Sequence, residues 1–368
     1  MNNNLFMRRN VKLGFKVGCA TVVTFMIGYW FYKYEIEDRD IGVVDLVPNE
    51  ELSSVIFPIA SICFNDPIIQ EKLKKIDTNF SGNSYMKYLQ AKFYNQSYET
   101  IDYRSISLDL ANHFMYAQDL HRDQSSFENS TAAVEHKEVF SGFYYKDTFL
   151  KCFSVGFQEG IGRNVKRVKF NYDLPRLYGD LQPDENSRYK VVKVYVKIHY
   201  PGQFFLGDDP VKFEVYMKSK YYFVTIKEME ILERRNSRKK KCLKDVHAYD
   251  SMVVDEYVTK KGCRVPYLRT NMTVPLCNSN KTMKDGLFSY MKATSATVPK
   301  PCNRVSILKT KGQYKNNLGF EKSKVWYLTI QYPQEVKLIT QSKEVDIHTL
   351  IGNIGGYLGL FLGMYSDR

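Results

Sequence analysis

The chain carries, close to its C-terminal end, the stretch Leu350-Ile-Gly-Asn-Ile-Gly-Gly-Tyr-Leu-Gly-Leu-Phe-Leu-Gly-Met364. Its glycines recur every four residues, so each set lines one face of a helix: Gly355, Gly359 and Gly363 in one set, Gly352 and Gly356 in the other. In water each glycine would weaken a helix by about 1 kcal/mol, whereas in lipid this spacing lets helix backbones pack closely. The stretch predicts a membrane helix that packs against copies of itself. A glycine-rich loop is the alternative.

The uncharged part of this stretch is short for a membrane span. Residues 354–365 carry neither a charge nor a side-chain amide, and as a helix they extend about 18 Å, against a hydrocarbon core of about 30 Å. We therefore expect residues 350–368 to be the beginning of a second membrane helix, truncated early.

A second apolar segment occupies residues 13–32, and twenty helical residues span about 30 Å. Tyr29, Trp30 and Tyr32 lie at one end, where amphipathic aromatic side chains mark a membrane interface. Basic residues precede the segment and acidic residues follow it, so the positive-inside rule places residues 1–12 in the cytosol and residues 33–349 outside the cell. A cleaved signal peptide is the alternative, although the segment lacks a small-x-small cleavage site.

The composition is that of a largely water-exposed, basic protein. The net charge is +13, and the mean hydropathy is −0.38. Such a charge favours nucleic acid or anionic lipid as a partner, but the basic residues are spread out and form no basic helix interleaved with aromatics. Their densest run is residues 234–241, which reads as a nuclear signal or as a solvated loop; the predicted extracellular location favours the loop.

The cysteines and glycosylation motifs agree with an extracellular location. Cys19 lies in the membrane segment, and the six remaining cysteines predict three disulfides in an oxidising compartment; a zinc site is less favoured, because no pair has C-x₂-C spacing. Five N-x-[ST] motifs fall between residues 33 and 349. They are Asn79, Asn95, Asn129, Asn271 and Asn280.

The region between the apolar segments reads as an α+β domain of about 310 residues, large enough to divide into subdomains. Residues 192–199 alternate apolar and polar side chains, which predicts a half-buried strand. Residues 242–261 read as a helix with Gly262 after its end. His113, His121 and His136 lie among carboxylates; they are a pH-sensing cluster or scattered surface histidines. Hydrolase, zinc-protease and phosphate-loop motifs are absent from the sequence, so we expect no enzyme, cofactor or metal.

Four motifs, in order, resemble the degenerin/epithelial sodium channel family, which includes acid-sensing and peptide-gated channels. Phe57-Pro-Ile-Ala-Ser-Ile-Cys63-Phe-Asn65 is similar to the motif that follows the first membrane helix in this family. Ile198-His-Tyr-Pro-Gly202 is similar to a motif of the family's palm strand. The cysteine-rich thumb resembles residues 242–302, with Tyr249-Asp250 and Gly262-Cys263 inside it. The start of the family's second membrane helix is close to residues 350–363.

The resemblance implies a trimer of subunits with two membrane helices each. It implies an extracellular domain of palm, β-ball, finger, knuckle and thumb, and an amiloride-sensitive type of pore selective for sodium ions. The pore would be lined by Gly355, Gly359, Gly363 and Ser366. Sequence order and the family's pattern both suggest the disulfides Cys63–Cys152, Cys242–Cys302 and Cys263–Cys277.

The chain departs from the family's pattern at several positions. The cytosolic His-Gly before the first helix is missing, and Gly363-Met-Tyr-Ser366 has one residue more than the family's Gly-x-Ser filter. Asn353 stands where many members have Asp, which removes a charge from the outer mouth. Thr349 occupies a position that is usually small and where bulk tends to hold the channel open, so we expect both residues to influence gating.

Two functions follow. The resemblance implies that the chain is a subunit of a trimeric sodium-selective cation channel of the plasma membrane, gated through its extracellular domain. Alternatively, it is a non-conducting, truncated surface protein or an assembly modulator of full-length relatives.

Overall fold

This computed structural model describes residues 3–48, 59–65, 69, 72, 75, 106–119, 134–143, 149–157, 167–173, 176–177, 191–207, 211–216, 221–237, 239–265, 268–277, 287–315 and 325–366. The chain forms two compact units. The helical unit comprises Met1–Val44, Glu233–Cys242 and Ile339–Arg368. The sheet unit comprises Asp45–Leu232 and Leu243–Leu338.

The helical unit begins with a long helix, α1 (Asn3–Phe31), followed by one π-helical segment, Tyr32–Glu37. This helix contains residues 13–31 of the predicted apolar segment 13–32 and starts ten residues before it, while Tyr32 begins the π-helical segment. The π-helical segment ends at Asp38, which has a φ of 41° and whose N–H donates to the Lys33 carbonyl at 3.1 Å. Aspartate tolerates this left-handed conformation better than most residues.

The predicted glycine-rich helix is present as α4 (Ile347–Ser366). It begins three residues before the predicted start, because Asp346 caps it: the Asp346 carboxylate accepts the Thr349 N–H at 2.6 Å. The Leu350 N–H donates to the Asp346 carbonyl at 2.9 Å and closes the first turn. The helix therefore has 20 residues and a length of about 30 Å, rather than the 18 Å of its uncharged part.

The described strands form two sheets. The strands are β1 (Asp40–Pro48), β2 (Ile59–Asn65), β3 (Phe114–Asp119), β4 (Val134–Phe143), β5 (Phe149–Phe157), β6 (Arg167–Asp173), β7 (Val191–His199), β8 (Val211–Tyr216), β9 (Tyr221–Glu233), β10 (Asn303–Lys315), β11 (Val325–Gln331) and β12 (Glu335–Lys343). One sheet has the order β1-β12-β9-β11-β6-β3 with β10 beside β9, and the other has the order β4-β5-β2-β7-β8. The predicted strand 192–199 is confirmed as β7, but it is not half-buried, because Tyr195, Lys197 and His199 of the predicted polar face are buried as well.

Aromatic side chains fill the core that the strands enclose. Trp326 of β11 is 1% exposed and lies 5.2 Å from the Tyr172 ring and 6.5 Å from the Phe64 ring, measured between ring centres. Each such pair contributes about 0.5–1.5 kcal/mol beyond the burial of apolar area. These contacts join residues of β2, β6 and β11.

Two helices of the sheet unit pack on a second apolar cluster: α2 (Tyr249–Lys261) and α3 (Leu287–Thr294). The predicted helix 242–261 is shorter than expected, since Asp245 first caps a 3₁₀ turn at residues 246–248. Its predicted end is confirmed: Gly262 has a φ of 69° and its N–H donates to the Val258 carbonyl at 2.8 Å.

The predicted cysteine pattern is found in the structure. Cys63 and Cys152 are directly opposite each other on β2 and β5 and form a disulfide, and Cys263 pairs with Cys277. Cys242 and Cys302 are both disulfide-bonded as well. Cys19 is the free cysteine of the described residues. The fold is thus an α+β protein with an apolar N-terminal helix and a β-rich, disulfide-bonded region.

Candidate functional site

The predicted pore residues share one face of α4. At 100° per residue, the glycines at 352, 355, 356, 359 and 363 fall within about 100° of the helix circumference, and Ser366 falls on the same face. Gly355 and Gly359 are exposed. A Cβ atom built at either glycine, or at Gly352 or Gly356, would have no described atom of the chain within 4 Å. The described part of the chain therefore leaves the glycine face uncovered at these four positions.

The two predicted gating residues lie next to this face. Thr349 is in the first turn of α4, and its N–H is held by Asp346. That backbone hydrogen bond lowers the pKa of the Asp346 carboxyl. Asn353 follows one turn later on the same side as Thr349. The structure thus places both residues at the beginning of α4, beside the glycine face.

The apolar helix α1 is exposed and approaches α4 within the helical unit. Within the described residues, Leu13–Glu37 is the one helix that is long and apolar enough to cross a membrane, and none of its apolar window is buried. Large apolar side chains project from it into solvent, among them Phe15, Phe25 and Phe31. Exposed α1 and the disulfides in the rest of the chain are consistent with a membrane protein that has an extracellular domain.

An ionic cluster, not foreseen from the sequence, joins the end of α1 to the segment 233–242. Arg235 donates from Nη2 to Asp38 Oδ1 at 2.6 Å and from Nε to Asp40 Oδ1 at 2.8 Å. Lys343 lies 3.8 Å from the Asp38 carboxylate, and Lys240 lies 3.8 Å from the Asp40 carboxylate. The hydrogen bond from Arg235 lowers the pKa of Asp38. We call these five residues the Arg235 cluster.

Cations also contact the aromatic side chains around the end of α1. Lys33 Nζ lies 5.5 Å from the Tyr29 ring centre and 6.0 Å from the Trp30 ring centre. Lys343 Nζ lies 3.3 Å from the Tyr34 ring centre. Cation–π contacts of this kind contribute about 0.5–1 kcal/mol at exposed sites. The aromatic end of α1 is thus bound to β12 as well as to the segment 233–242.

In the sheet unit, the turn after β7 is clamped to the start of α2. The Asp250 carboxylate accepts the N–H groups of Phe204 at 2.8 Å and Phe205 at 3.1 Å, and the Asp250 N–H donates to the Gly202 carbonyl at 3.0 Å. Burial raises the pKa of Asp250 to about 6, against the lowering effect of the two N–H donors. Gly202 has a φ of 73°, and a Cβ there would lie 2.5 Å from His247 Cα. The motif Ile198–Gly202 and the pair Tyr249-Asp250 are therefore in direct contact through hydrogen bonds.

His199 and His113 are buried, at 3% and 2% exposed, so His113 is not the surface histidine that the sequence suggested. His199 Nδ1 donates to the Tyr200 carbonyl at 2.6 Å, so that Nε2 accepts from the Ser61 hydroxyl at 2.6 Å. Burial lowers the pKa of His199 to about 3 and that of His136, which contacts the Tyr172 hydroxyl, to about 4. His113 contacts the Asp109 carbonyl instead. His121 lies outside the described residues.

Two further predictions concern surface and metal chemistry. Asn271 is exposed, as a glycosylation site must be; the other four motifs, at Asn79, Asn95, Asn129 and Asn280, lie outside the described residues. Within the described ranges, no group of three or more His, Cys, Asp or Glu side chains is arranged to hold a metal ion.

Comparisons with known proteins give matches among solved structures. No family model and no curated protein matches the chain. Among solved structures, the chain is similar to a cryo-EM structure of a proton-activated chloride channel, with 6% identity, a TM-score of 0.28 and coverage of 98% of this chain and 94% of that one. A TM-score of this size does not establish a shared fold.

Proposed function

We propose that the chain is a subunit of a trimeric, sodium-selective cation channel of the amiloride-sensitive type, gated through an extracellular domain. Its N-terminus lies in the cytosol and its sheet unit outside the cell. The proposal is supported by four motifs that resemble the degenerin/epithelial sodium channel family in that family's order. It also assigns the family's palm, β-ball, finger, knuckle and thumb to the sheet unit.

The uncovered glycine face of α4 is the observation that carries this proposal. Glycine in the middle of a helix costs about 1 kcal/mol each relative to alanine, and here several glycines share one face that the described part of the chain leaves open. Close packing of helix backbones in lipid is the physical use for such a face. Copies of α4 arranged around an axis would bring these faces together.

Convergence of the α4 helices would also produce the narrow part of a pore. Small residues let backbone carbonyls approach the axis, and such carbonyls replace the hydration shell of a permeating cation. Gly355, Gly359, Gly363 and Ser366 take this role in our proposal. Thr349 and Asn353, one turn apart at the beginning of α4, would form the outer mouth.

The Arg235 cluster supplies a route for gating within the helical unit. It ties the end of α1 at Asp38 and Asp40 to the segment after β9 and, through Lys343, to the end of β12. The chain passes from Lys343 to Ile347, the first residue of α4, in four residues. A displacement of any of these segments would therefore reach both apolar helices.

A second function is favoured by the same glycine face. The chain could assemble with related subunits without conducting on its own, because packing of α4 requires only a partner helix with a similar face. This alternative retains the trimer and the membrane location but assigns conduction to the relatives.

The distinguishing experiment records current from cells that express the chain and counts subunits in the same preparation. The proposal expects trimers and an inward sodium current that amiloride reduces. Trimers without any current, together with an altered current when a related subunit is co-expressed, would favour the assembly role. A monomer would contradict both.

A further inference from the structure

The basic segment 239–241 lies beside the end of α1, and we propose that it contacts the phosphate groups of membrane lipids. The surface consists of Lys239, Lys240 and Lys241, and we call it the lysine patch. The inference rests on the proposed function, since it requires that α1 spans a membrane. It adds a lipid partner that the proposed channel does not need for conduction.

The position of the lysine patch is fixed by direct contacts to the end of α1. Lys239 Nζ donates to the Glu37 carbonyl at 2.9 Å, and Glu37 is the last residue of the π-helical segment. Lys240 Nζ lies 3.8 Å from the Asp40 carboxylate. The patch therefore lies at the level of residues 37–40.

The same level corresponds to the lipid headgroups. Tyr29, Trp30 and Tyr32 mark the boundary of the hydrocarbon core, and five further residues at up to 1.5 Å each place Glu37 at most about 8 Å beyond Tyr32. The headgroup region of one leaflet is about 5–7 Å thick. The lysine patch is consequently in the layer that contains the lipid phosphates.

The three lysines of the patch are exposed, so their positive charges can contact a lipid headgroup. The carboxylates of Asp38 and Asp40 pair with Arg235 at 2.6 and 2.7 Å, and the Asp40 carboxylate also lies 3.8 Å from Lys240 of the patch. The Lys240 side chain is 62% exposed, and Lys239 and Lys241 are exposed as well. Flexible lysine side chains reach a headgroup readily, because their apolar stems can lie along the interface. Anionic headgroups are preferred, because their net charge is negative, whereas the headgroup of phosphatidylcholine has no net charge.

The test uses Trp30 as a built-in reporter. The chain has two tryptophans, and Trp30 lies next to Lys33 at the aromatic end of α1, whereas Trp326 is buried in the core of the sheet unit. The full chain is inserted into nanodiscs that contain about one phosphatidylserine in five lipids, a composition that gives an anionic surface, with a trace of dansyl-phosphatidylserine or dansyl-phosphatidylcholine. Energy transfer from Trp30 then measures which lipid is enriched near the patch. Trp30→Phe must abolish this transfer.

We expect transfer to dansyl-phosphatidylserine to exceed transfer to dansyl-phosphatidylcholine. The triple variant Lys239→Gln, Lys240→Gln, Lys241→Gln should remove the excess, since each lysine near an anionic surface changes lipid occupancy about fivefold. Substitution of the same three residues by Arg should preserve it. The matched control replaces Lys227, Lys300 and Lys337, all exposed in the sheet unit, by Gln and should also preserve it.

Three results would overturn the inference. The excess could survive the triple Gln variant, or the control variant could remove it equally, which would indicate a nonspecific effect of net charge. Inorganic phosphate could remove the excess transfer to dansyl-phosphatidylserine while chloride at the same ionic strength leaves it unchanged. That result would show a site for free phosphate instead of lipid. Failure of the chain to enter nanodiscs would instead overturn the proposed membrane function, and with it this inference.

Discussion

Arg235 Nη2 lies 2.6 Å from Asp38 Oδ1, although the two residues are 197 positions apart in the chain. The guanidinium spans Asp38 and Asp40 together, and both acidic side chains are at most 10% exposed. Arginine suits this position because its planar donors can engage two carboxylates at once. The pair joins the segment 233–242 to the connection between the π-helical segment and β1.

The first prediction concerns this pair. Arg235→Gln leaves two poorly exposed carboxylates without their main partner and should destabilise the protein by about 2–4 kcal/mol, between the values for exposed and buried ion pairs. Thermal unfolding in detergent measures the change, and a double-mutant cycle with Asp38→Asn isolates the coupling.

The control for this prediction is the pair Lys337–Glu230, which has 48% and 25% exposed side chains and a distance of 3.4 Å. Its removal should cost about 0–1 kcal/mol. Equal losses for the two pairs would show that the Arg235 cluster is an ordinary surface ion pair.

The second prediction concerns the turn after β7. Gly202→Ala places a Cβ 2.5 Å from His247 Cα and 2.6 Å from the His247 carbonyl oxygen at a φ of 73°. The clash is with backbone, so we expect a loss of about 3–5 kcal/mol and little protein at the cell surface.

Gly207→Ala is the matched control for Gly202→Ala. Gly207 also has a positive φ, 85°, but no described atom lies within 4 Å of the added Cβ. Only the backbone strain remains, which costs about 1–2 kcal/mol. If both variants reach the surface equally well, the contact between Gly202 and α2 is not required.

The third prediction is a pH dependence of stability. Burial lowers the pKa of His136 to about 4, below the value of about 6.5 in an unfolded chain. Between these two pKa values the unfolded state binds more protons than the folded state. The contribution of His136 to the free energy of unfolding is therefore fully present above about pH 6.5. It falls by about 2–3 kcal/mol as the pH is lowered towards 4.

His136→Phe should reduce that loss, because a phenyl ring can retain the contacts to Phe114 and Tyr172 without titrating. Unfolding midpoints at pH 7 and pH 4.5 provide the comparison. An unchanged difference between the two midpoints would mean that His136 is not responsible for the acid sensitivity.

The fourth prediction concerns assembly through α4. Gly359→Leu fills the uncovered face and should convert trimers to monomers, because bulky side chains prevent close approach of helix backbones. Gly28→Leu in α1 is the control, since Gly28 also has open space for a Cβ but lies outside the proposed contact face. Subunit counting by stepwise photobleaching measures both, and trimers of Gly359→Leu would contradict the packing.

Local features of the sequence predicted much of this structure. The alternation at residues 192–199 indicates β7, and Gly262 indicates the end of α2, because each depends on neighbours in the chain. The disulfide of Cys263 with Cys277, which sequence order and the family's pattern suggested, is present. The glycine period predicted α4, whereas its start at Ile347 depends on capping by Asp346, which periodicity does not reveal.

The Arg235 cluster could not be predicted in the same way. The acidic residues after the apolar segment and the basic run at 234–241 are both visible in the sequence. Nothing local indicates that β9 ends beside the end of α1, which is a property of the strand order. The sequence therefore predicted Arg235 to be one of several solvent-exposed basic residues, whereas in the fold it pairs with the carboxylates of Asp38 and Asp40.

The central claim is that this chain contributes to a cation-selective pore, and the reversal potential tests it most directly. Whole-cell current is recorded while external sodium is replaced by N-methyl-D-glucamine at constant chloride, and then while chloride is replaced by gluconate at constant sodium. Only the sodium replacement should move the reversal potential, towards negative values. A reversal potential that follows chloride, or the absence of any current, would contradict it.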